Sequence, residues 1–324
     1  MAPSPKLRIV ESPVVTFDDV LAARDVVARR LHRTPIFSSH TLGEHVFLKA
    51  ELFQRTGSFK PRGVLNKLTR LSPEERRRGV ISISAGNHAQ AVAYGAAAEG
   101  VDALLVTWAT ASPAKVAATR AYGATVDMEA PDVPAAFDRL QSLLAETGRV
   151  FVDPWGDPDV IAGHGTVALE VLEDVPEADV ILVPTGGGGL VSGVAVTAAG
   201  RARVVAVEPE LAPSLHDSLR AGEPVTIEPR SIADGLNAPS VGALCVDLCG
   251  AAGVESVLVS EEELKDGFRF AYERCKLACE AAGAAGIAAL LAGKVPLERG
   301  ETVVVVVSGG NVAPETASGI LAGR

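Results

Sequence analysis

Basic charge is in short supply in this 324-residue sequence: Lys and Arg number 30 against 40 Asp and Glu, for a formal net charge of -10. The few basic clusters, such as Arg76-Arg77-Arg78, read as solvated helix ends, so neither nucleic acid nor an anionic membrane surface is an expected partner. Long apolar runs are missing too. Met1 to Ser12 carries charges and prolines but no apolar stretch of signal-peptide length, and no later run reaches membrane-spanning length without a Gly, Ser or charge. A cytoplasmic location is the expectation. Cysteine is scarce, with four residues in two Cys-x-x-x-Cys pairs, Cys245/Cys249 and Cys275/Cys279, each at the spacing of one helix face. A four-thiolate metal site is one reading; structural zinc favours shorter hairpin spacings, and the apolar flanks favour buried free thiols. Ser/Gly-rich linkers, internal repeats and low-complexity tracts are absent as well, and no regulatory domain is expected after the last strand and helix.

What remains is 48% hydrophobic and 22% charged, a composition able to bury a large core in one large domain or two. From His45 onward, short β-branched runs alternate with amphipathic or Ala-rich segments. Strands are expected at 46–50, 80–84, 103–107, 125–128, 150–152, 180–184, 204–208, 254–259 and 302–307. Helices are expected at 62–70, 89–99, 113–122, 135–146, 165–172, 190–199, 241–249, 261–279 and 284–292. This alternation predicts βαβ units and an α/β fold with mainly parallel sheets covered by helices. Two turn-rich places, Leu52 to Gly57 and Asp153 to Pro158, are candidate crossings between domains. Residues 52–153 would then form a small inserted α/β domain, and 1–51 with 154–324 a larger one.

The strand at 180–184 runs into Thr185-Gly186-Gly187-Gly188-Gly189 and then into a helix. Backbone N–H groups in such a turn can converge on a phosphate with no side chain in the way, aided by the positive end of the helix dipole. A tight turn with close helix packing would explain one or two of these glycines. A dinucleotide site is a second reading, because Gly187-x-Gly189-x-x-Ser192 approximates its fingerprint and Glu208 ends the next strand where a ribose-binding acid belongs. Its third glycine is missing, however, and no hydride-transfer constellation lies nearby.

Lys60 bears on that choice. It lies between Phe59 and Pro61 in Gly57-Ser58-Phe59-Lys60-Pro61-Arg62-Gly63, just ahead of a helix, with its amine held at a turn. Taken alone it reads equally as a surface lysine. A third element, Ser84-Ala85-Gly86-Asn87-His88, again joins a β-branched strand to a helix; its N–H groups suit a substrate carboxylate, and the Asn87 amide suits a phenolic oxygen. His88 reads as a locally hydrogen-bonded helix-start residue in preference to a catalytic one. A fourth, Ser308-Gly309-Gly310-Asn311, follows the last strand. All four elements occupy the same kind of strand end, which argues for one cleft. A lysine beside a phosphate cradle suits an organic phosphate held covalently, as pyridoxal 5'-phosphate is.

These four stretches together resemble the signature set of the fold-type II pyridoxal-phosphate enzymes, and within them the serine/threonine dehydratase and serine racemase family. The resemblance runs from about Thr16 to the C-terminus and includes Ser112-Pro113-Ala114-Lys115, Ile161-Ala162-Gly163 and Lys276-Leu277-Ala278-Cys279-Glu280. It implies a two-domain fold like that of the tryptophan synthase β subunit, a homodimer or homotetramer, and a small β-hydroxy amino acid as substrate. It implies that Lys60 holds the cofactor and later removes the substrate's α-proton, and that Phe59 packs against the ring. It assigns the phosphate to Gly186, Gly187, Gly188 and Gly189, the ring hydroxyl to Asn87, the pyridine nitrogen to Ser308, and the substrate to residues 84–88. A serine at that nitrogen, unlike an aspartate, does not hold it protonated, which favours prompt loss of a β-hydroxyl over a long-lived carbanion. The expected activity is dehydration of L-threonine or L-serine to a 2-oxoacid and ammonia.

Several positions depart from the family pattern. Racemising members carry a second serine where this chain has Ala85, and alanine has no proton to donate, so dehydration is expected over racemisation. A hydroxyaspartate dehydratase is the remaining alternative within the family, with a nicotinamide dehydrogenase and then a catalytically silent pyridoxal-phosphate or amino-acid binding module behind it. Metal-dependent relatives bind a divalent cation at a glutamate, a carbonyl and an aspartate; Glu208 and Ala212 match the first two, and Ser214 replaces the third. Asp153, Trp155 and His164 also differ, which predicts either a reshaped substrate pocket or only a rearranged hinge surface.

Overall fold

The computed structural model describes residues 14–323, so Met1 to Ser12 lies outside the described residues. Ten strands and thirteen α-helices alternate along the described chain. The strands are β1 (Ile36–Ser38), β2 (Val46–Ala50), β3 (Val80–Ile83), β4 (Ala103–Trp108), β5 (Thr125–Ala130), β6 (Val150–Phe151), β7 (Val180–Pro184), β8 (Arg203–Pro209), β9 (Glu255–Val259) and β10 (Val303–Val307). The helices begin with α1 (Phe17–Arg30), α2 (Pro61–Thr69), α3 (Pro73–Arg78), α4 (Asn87–Glu99), α5 (Pro113–Ala121), α6 (Val133–Thr147) and α7 (Pro158–Asp174). They continue with α8 (Gly189–Ala198), α9 (Ser214–Ala221), α10 (Ala243–Ala251), α11 (Glu261–Phe270), α12 (Ala281–Leu291) and α13 (Pro314–Leu321). None of them is long and apolar enough to cross a membrane.

Two sheets form. One has the order β1-β2-β10-β7-β8-β9, parallel except for β1, and the other the fully parallel order β5-β4-β3-β6. The central strands are apolar on both faces, as a sheet covered on both sides requires: all five valines of β10 and all five residues of β7 are buried. In the larger sheet, Leu182 and Val305 face α12, whereas Ile181 and Val304 face α8.

The elements without a sequence expectation are short or marked by caps. α1 and α3 each start with a capping box, Thr16 with Asp19 and Ser72 with Glu75. The three-residue β1 is an antiparallel edge strand whose exposed side chains carry no strand periodicity. The helix expected over 261–279 is corrected: α11 ends at Phe270, a π-turn follows to Cys275, and Lys276 takes a left-handed φ of 58°. Cys275 and Cys279 therefore do not share a helix face. All four cysteines are free thiols, three of them buried, and Cys249 pairs with the Ser192 hydroxyl at 3.4 Å.

Behind Lys60, α2 is anchored by a buried charge cluster. Arg62, fully enclosed, donates from Nε and Nη2 to Glu51 and from Nη1 and Nη2 to Glu170, all at 2.8–2.9 Å. Lys49 on β2 completes the set with Glu170, so two cations meet two carboxylates. Such a group costs desolvation energy, and complete pairing offsets it.

Candidate active site

The four motif loops come together at the C-terminal ends of the strands. β3 leads into Ser84, β7 into the glycines and β10 into Ser308, the Lys60 loop follows β2 through two short turns, and β6 adds Asp153-Pro154-Trp155. Parallel strands aim their open ends at one place, and there a cavity of about 620 Å³ is lined by Phe59, Lys60, residues 84–88, Gly186 to Gly189 and Ser308. Every residue expected at the cofactor and substrate sites lines it. The two expected cation residues, Glu208 and Ala212, do not.

Lys60 is positioned by backbone pairing with the segment after β10. Phe59 N–H donates to Ser308 C=O at 3.1 Å, Gly310 N–H to Gly57 C=O at 2.9 Å, and Ser58 bridges Gly309. Gly57 has φ 73°, and a Cβ there would stand 2.5 Å from Asn311 Oδ1, so the turn before the lysine needs glycine. The Lys60 amine donates to Pro154 C=O at 2.9 Å and stands 5.1 Å from the Phe59 ring centre. Surrounded by protein except where it faces the cavity, it has its pKa lowered to about 8: burial outweighs the opposing pull of Asp153 and Cys245. A lysine so tuned has a sizeable neutral fraction at ordinary pH, as a nucleophile or a base requires.

The glycine turn is walled by its neighbours. A Cβ on Gly186 would come within 2.9 Å of the Leu236 backbone, one on Gly187 within 2.6 Å of the Trp155 ring, and one on Gly188, at φ 90°, within 2.8 Å of Cys245 Cβ. The turn thus presents main chain alone to the cavity, directly before the first turn of α8. This is a cradle fit for a phosphate.

Asn87 is held from two sides. Its amide nitrogen donates to Glu280 Oε1 at 2.7 Å, and its oxygen accepts from Asn311 Nδ2 at 2.8 Å; Asn311 also donates to Thr56 C=O. One amide hydrogen of Asn87 is left for a ligand oxygen. Glu280 and Asn311 carried no sequence expectation as site residues, although both lie in quoted motif stretches. Glu280 is buried with Oε2 unpartnered, and its pKa is raised to about 7, chiefly by burial and then by Asp234, against the influence of Lys115 and Asn87. An orphan carboxyl oxygen at the wall of an apolar-rimmed cavity fits a site built to receive a polar ring.

Other residues are placed differently from expectation. His88 does not bond locally: its Nε2 pairs with Ser82 Oγ at 3.0 Å and Val152 C=O at 3.2 Å, and burial holds its pKa down near 3. Asp153 caps its own turn through Trp155 and Gly156 N–H, and Trp155 forms part of the cavity wall. His164 is outside that wall, buried edge-on against Phe59 with ring centres 4.7 Å apart. Glu208 accepts from Leu215 N–H, His216 N–H and Ser256 Oγ at 2.7, 2.8 and 2.9 Å. Both oxygens are thus engaged, by three protein donors in all. Ser214 instead donates to Gly186 C=O at 3.1 Å. Among the described residues no group of three or more His, Cys, Asp or Glu gathers to hold a metal.

Comparison with known proteins agrees with this geometry. The chain is 41% identical over 307 residues to the L-threonine ammonia-lyase of Thermotoga maritima, covering 92% of this chain and 76% of that protein. It is 38% identical to the L-threonine dehydratase catabolic TdcB of Escherichia coli, covering 92% and 93%. The structure of maize serine racemase superposes with a TM-score of 0.89 at 34% identity, covering 94% and 96%. A family model described as pyridoxal-phosphate dependent enzyme matches residues 27–309. That match spans both sheets, three of the loops at the cavity and the first two residues of the fourth, and on it the chain belongs to the pyridoxal-phosphate dependent enzymes.

Proposed function

We propose that this enzyme is a dehydratase that converts L-threonine or L-serine to a 2-oxoacid and ammonia by elimination of the β-hydroxyl. The observation that carries the reading is Lys60, an amine lowered to about pKa 8 in a cleft also lined by Ala85, the position at which racemising members of the family carry a serine. The names of the Thermotoga and Escherichia relatives support it.

Pyridoxal phosphate, when bound, supplies the electron sink that acidifies the α C–H bond and helps to expel the β-hydroxyl. Lys60 would hold it covalently and then accept the α-proton at Nζ. The N–H groups of Gly186 to Gly189 would take the phosphate, the spare Asn87 amide hydrogen the ring hydroxyl, and the Ser308 hydroxyl the ring nitrogen without protonating it. Glu280 orients Asn87 in this scheme. N–H groups of the 84–88 turn would receive the substrate carboxylate; within that turn Ser84 Oγ already accepts from Gly86 N–H at 3.0 Å. We also read 52–153 as the small domain and 1–51 with 154–324 as the large one, with the site between them.

Likeness to a serine racemase favours a second reading, racemisation. Returning a proton from the opposite face needs a second acid in reach, and an alanine methyl is not one. Assay of the holoenzyme should show 2-oxoacid release far faster than interconversion of L- and D-serine, and equal rates would overturn the dehydratase assignment. Lys60→Ala should lose turnover by at least ~1,000-fold, as removal of a covalent and general-base group does.

A further inference from the structure

Along the C-terminal edge of the four-stranded sheet the chemistry changes from strand to strand. The chain after β6 meets Lys60 at Pro154, and β3 leads into the polar turn 84–88. The next strand out, β4, ends on Trp108, which is in register with Ala130 at the end of β5. The chain then enters α6, whose first turns carry Val133, Pro134 and Phe137. Neighbouring strands lie ~4.8 Å apart, so the apolar side chains start about one strand beyond the polar turn and continue to the second. All four line the same cavity as Lys60 and the glycines, and Trp108 and Phe137 are both only partly buried.

The segment between α9 and α10 lines the cavity as well; it contributes Ile227, Pro229, Leu236, Ala238 and Pro239 together with the polar Glu228, Asp234 and Asn237, and Ile227 N–H donates to Pro239 C=O at 2.8 Å to tie its two arms together. An ion pair joins Lys115 on α5 to Asp234 in this segment, and both residues line the cavity. Serine or threonine would bring a hydroxyl, or a hydroxyl and one methyl, to this place and leave these apolar side chains bare. Hydroxyaspartate would bring a second carboxylate against Trp108 and Phe137, where the one lysine besides Lys60 that lines the cavity, Lys115, is already paired with Asp234 and Glu228 adds a further negative charge.

We propose that the preferred substrate is a β-hydroxy-α-amino acid with a bulky apolar β-substituent, aryl or branched alkyl, held against Trp108, Phe137, Ile227 and Pro239. This rests on the deaminating dehydratase reading and specifies its substrate. For β-phenylserine, the α C–H and β C–O bonds break, hydrogen and hydroxyl leave as water, and the resulting enamine takes up water and loses ammonia. The net products are phenylpyruvate and ammonia, with no oxidant or reductant required.

The holoenzyme is assayed for ammonia and 2-oxoacid with L-threonine, L-serine and threo-β-phenylserine, and its affinity for L-phenylalanine and L-alanine, which have no leaving group, is measured by calorimetry. Phenylserine should exceed threonine in kcat/KM by about tenfold or more, and phenylalanine should bind about tenfold more tightly than alanine, within the range an apolar group supplies in a matched pocket. Phe137→Asn should reduce both ratios toward one, and Phe137→Leu should restore most of each. If threonine or serine is turned over faster than phenylserine and phenylalanine binds no better than alanine, the proposal is overturned while deamination stands. Ammonia from none of the three would remove the deamination reading, and the calorimetric ratio alone would then decide for or against the apolar pocket.

Discussion

The ionisation of Lys60 is set by where it stands. Its neighbours Phe59 and Pro61 are visible in sequence, but the lowering of its pKa comes from enclosure between Phe59, Pro154 and the glycine turn. Because burial disfavours the charged form, the amine should lose its proton around pH 8 and not near 10.5. Acylation of the cofactor-free protein by a small anhydride, followed by peptide mass spectrometry, should show Lys60 modification half-maximal near pH 8, with surface lysines still rising above pH 9.5; a Lys60 midpoint among the surface lysines would contradict this. The same folding contribution has a definite sign. A lysine whose pKa is lowered by folding disfavours the folded state while it is charged, so this part of stability is regained as pH rises from about 8 to 10.5.

Among the elements, α9 shows a residue changing role. Pro213 stands at its N-cap position and makes no side-chain cap, so Glu208, reaching over from β8, accepts from the second and third N–H groups of the helix. The carboxyl that the family resemblance associates with a cation is therefore a remote cap, and Ser214 relays the same helix start to Gly186. Glu208→Ala should cost about 1–3 kcal/mol of unfolding free energy in urea titrations, as loss of a cap and a buried acceptor does. Exhaustive chelation should leave the wild-type midpoint unmoved, and a chelator-induced drop would show that a cation competes with these donors after all.

At the scale of the whole molecule, the cluster of Lys49, Glu51, Arg62 and Glu170 joins β2, α2 and α7 immediately behind the lysine loop. Its charges are balanced, and removing one cation leaves two buried carboxylates short of partners. Arg62→Met should destabilise the fold by about 3–5 kcal/mol in denaturant titrations, whereas Arg78→Met on the exposed end of α3 should change it by less than about 0.5 kcal/mol. Equal effects of the two substitutions would mean that the cluster is not a structural joint.

The strand-helix alternation and the four motif loops were legible in the sequence because they depend on local physics. β-branched runs mark buried parallel strands, and glycine or serine at a strand end marks a place where main chain must be exposed to a ligand. What the sequence could not supply were contacts across long separations. Asn87 meets Glu280 and Asn311 across 193 and 224 residues, and no local pattern announces such pairs. His88, legible as a helix start, proved to bond Ser82 and Val152 because β3 and the chain just after β6, not its own helix, offer the partners. The sequence by itself determined the family and the cofactor and pointed to Lys60, since these need particular residue types at strand ends. The tertiary structure alone decided the lysine's ionisation, the occupation of Glu208 by helix donors and the apolar walls around Trp108 and Phe137, because burial and pairing exist only once distant segments are packed together.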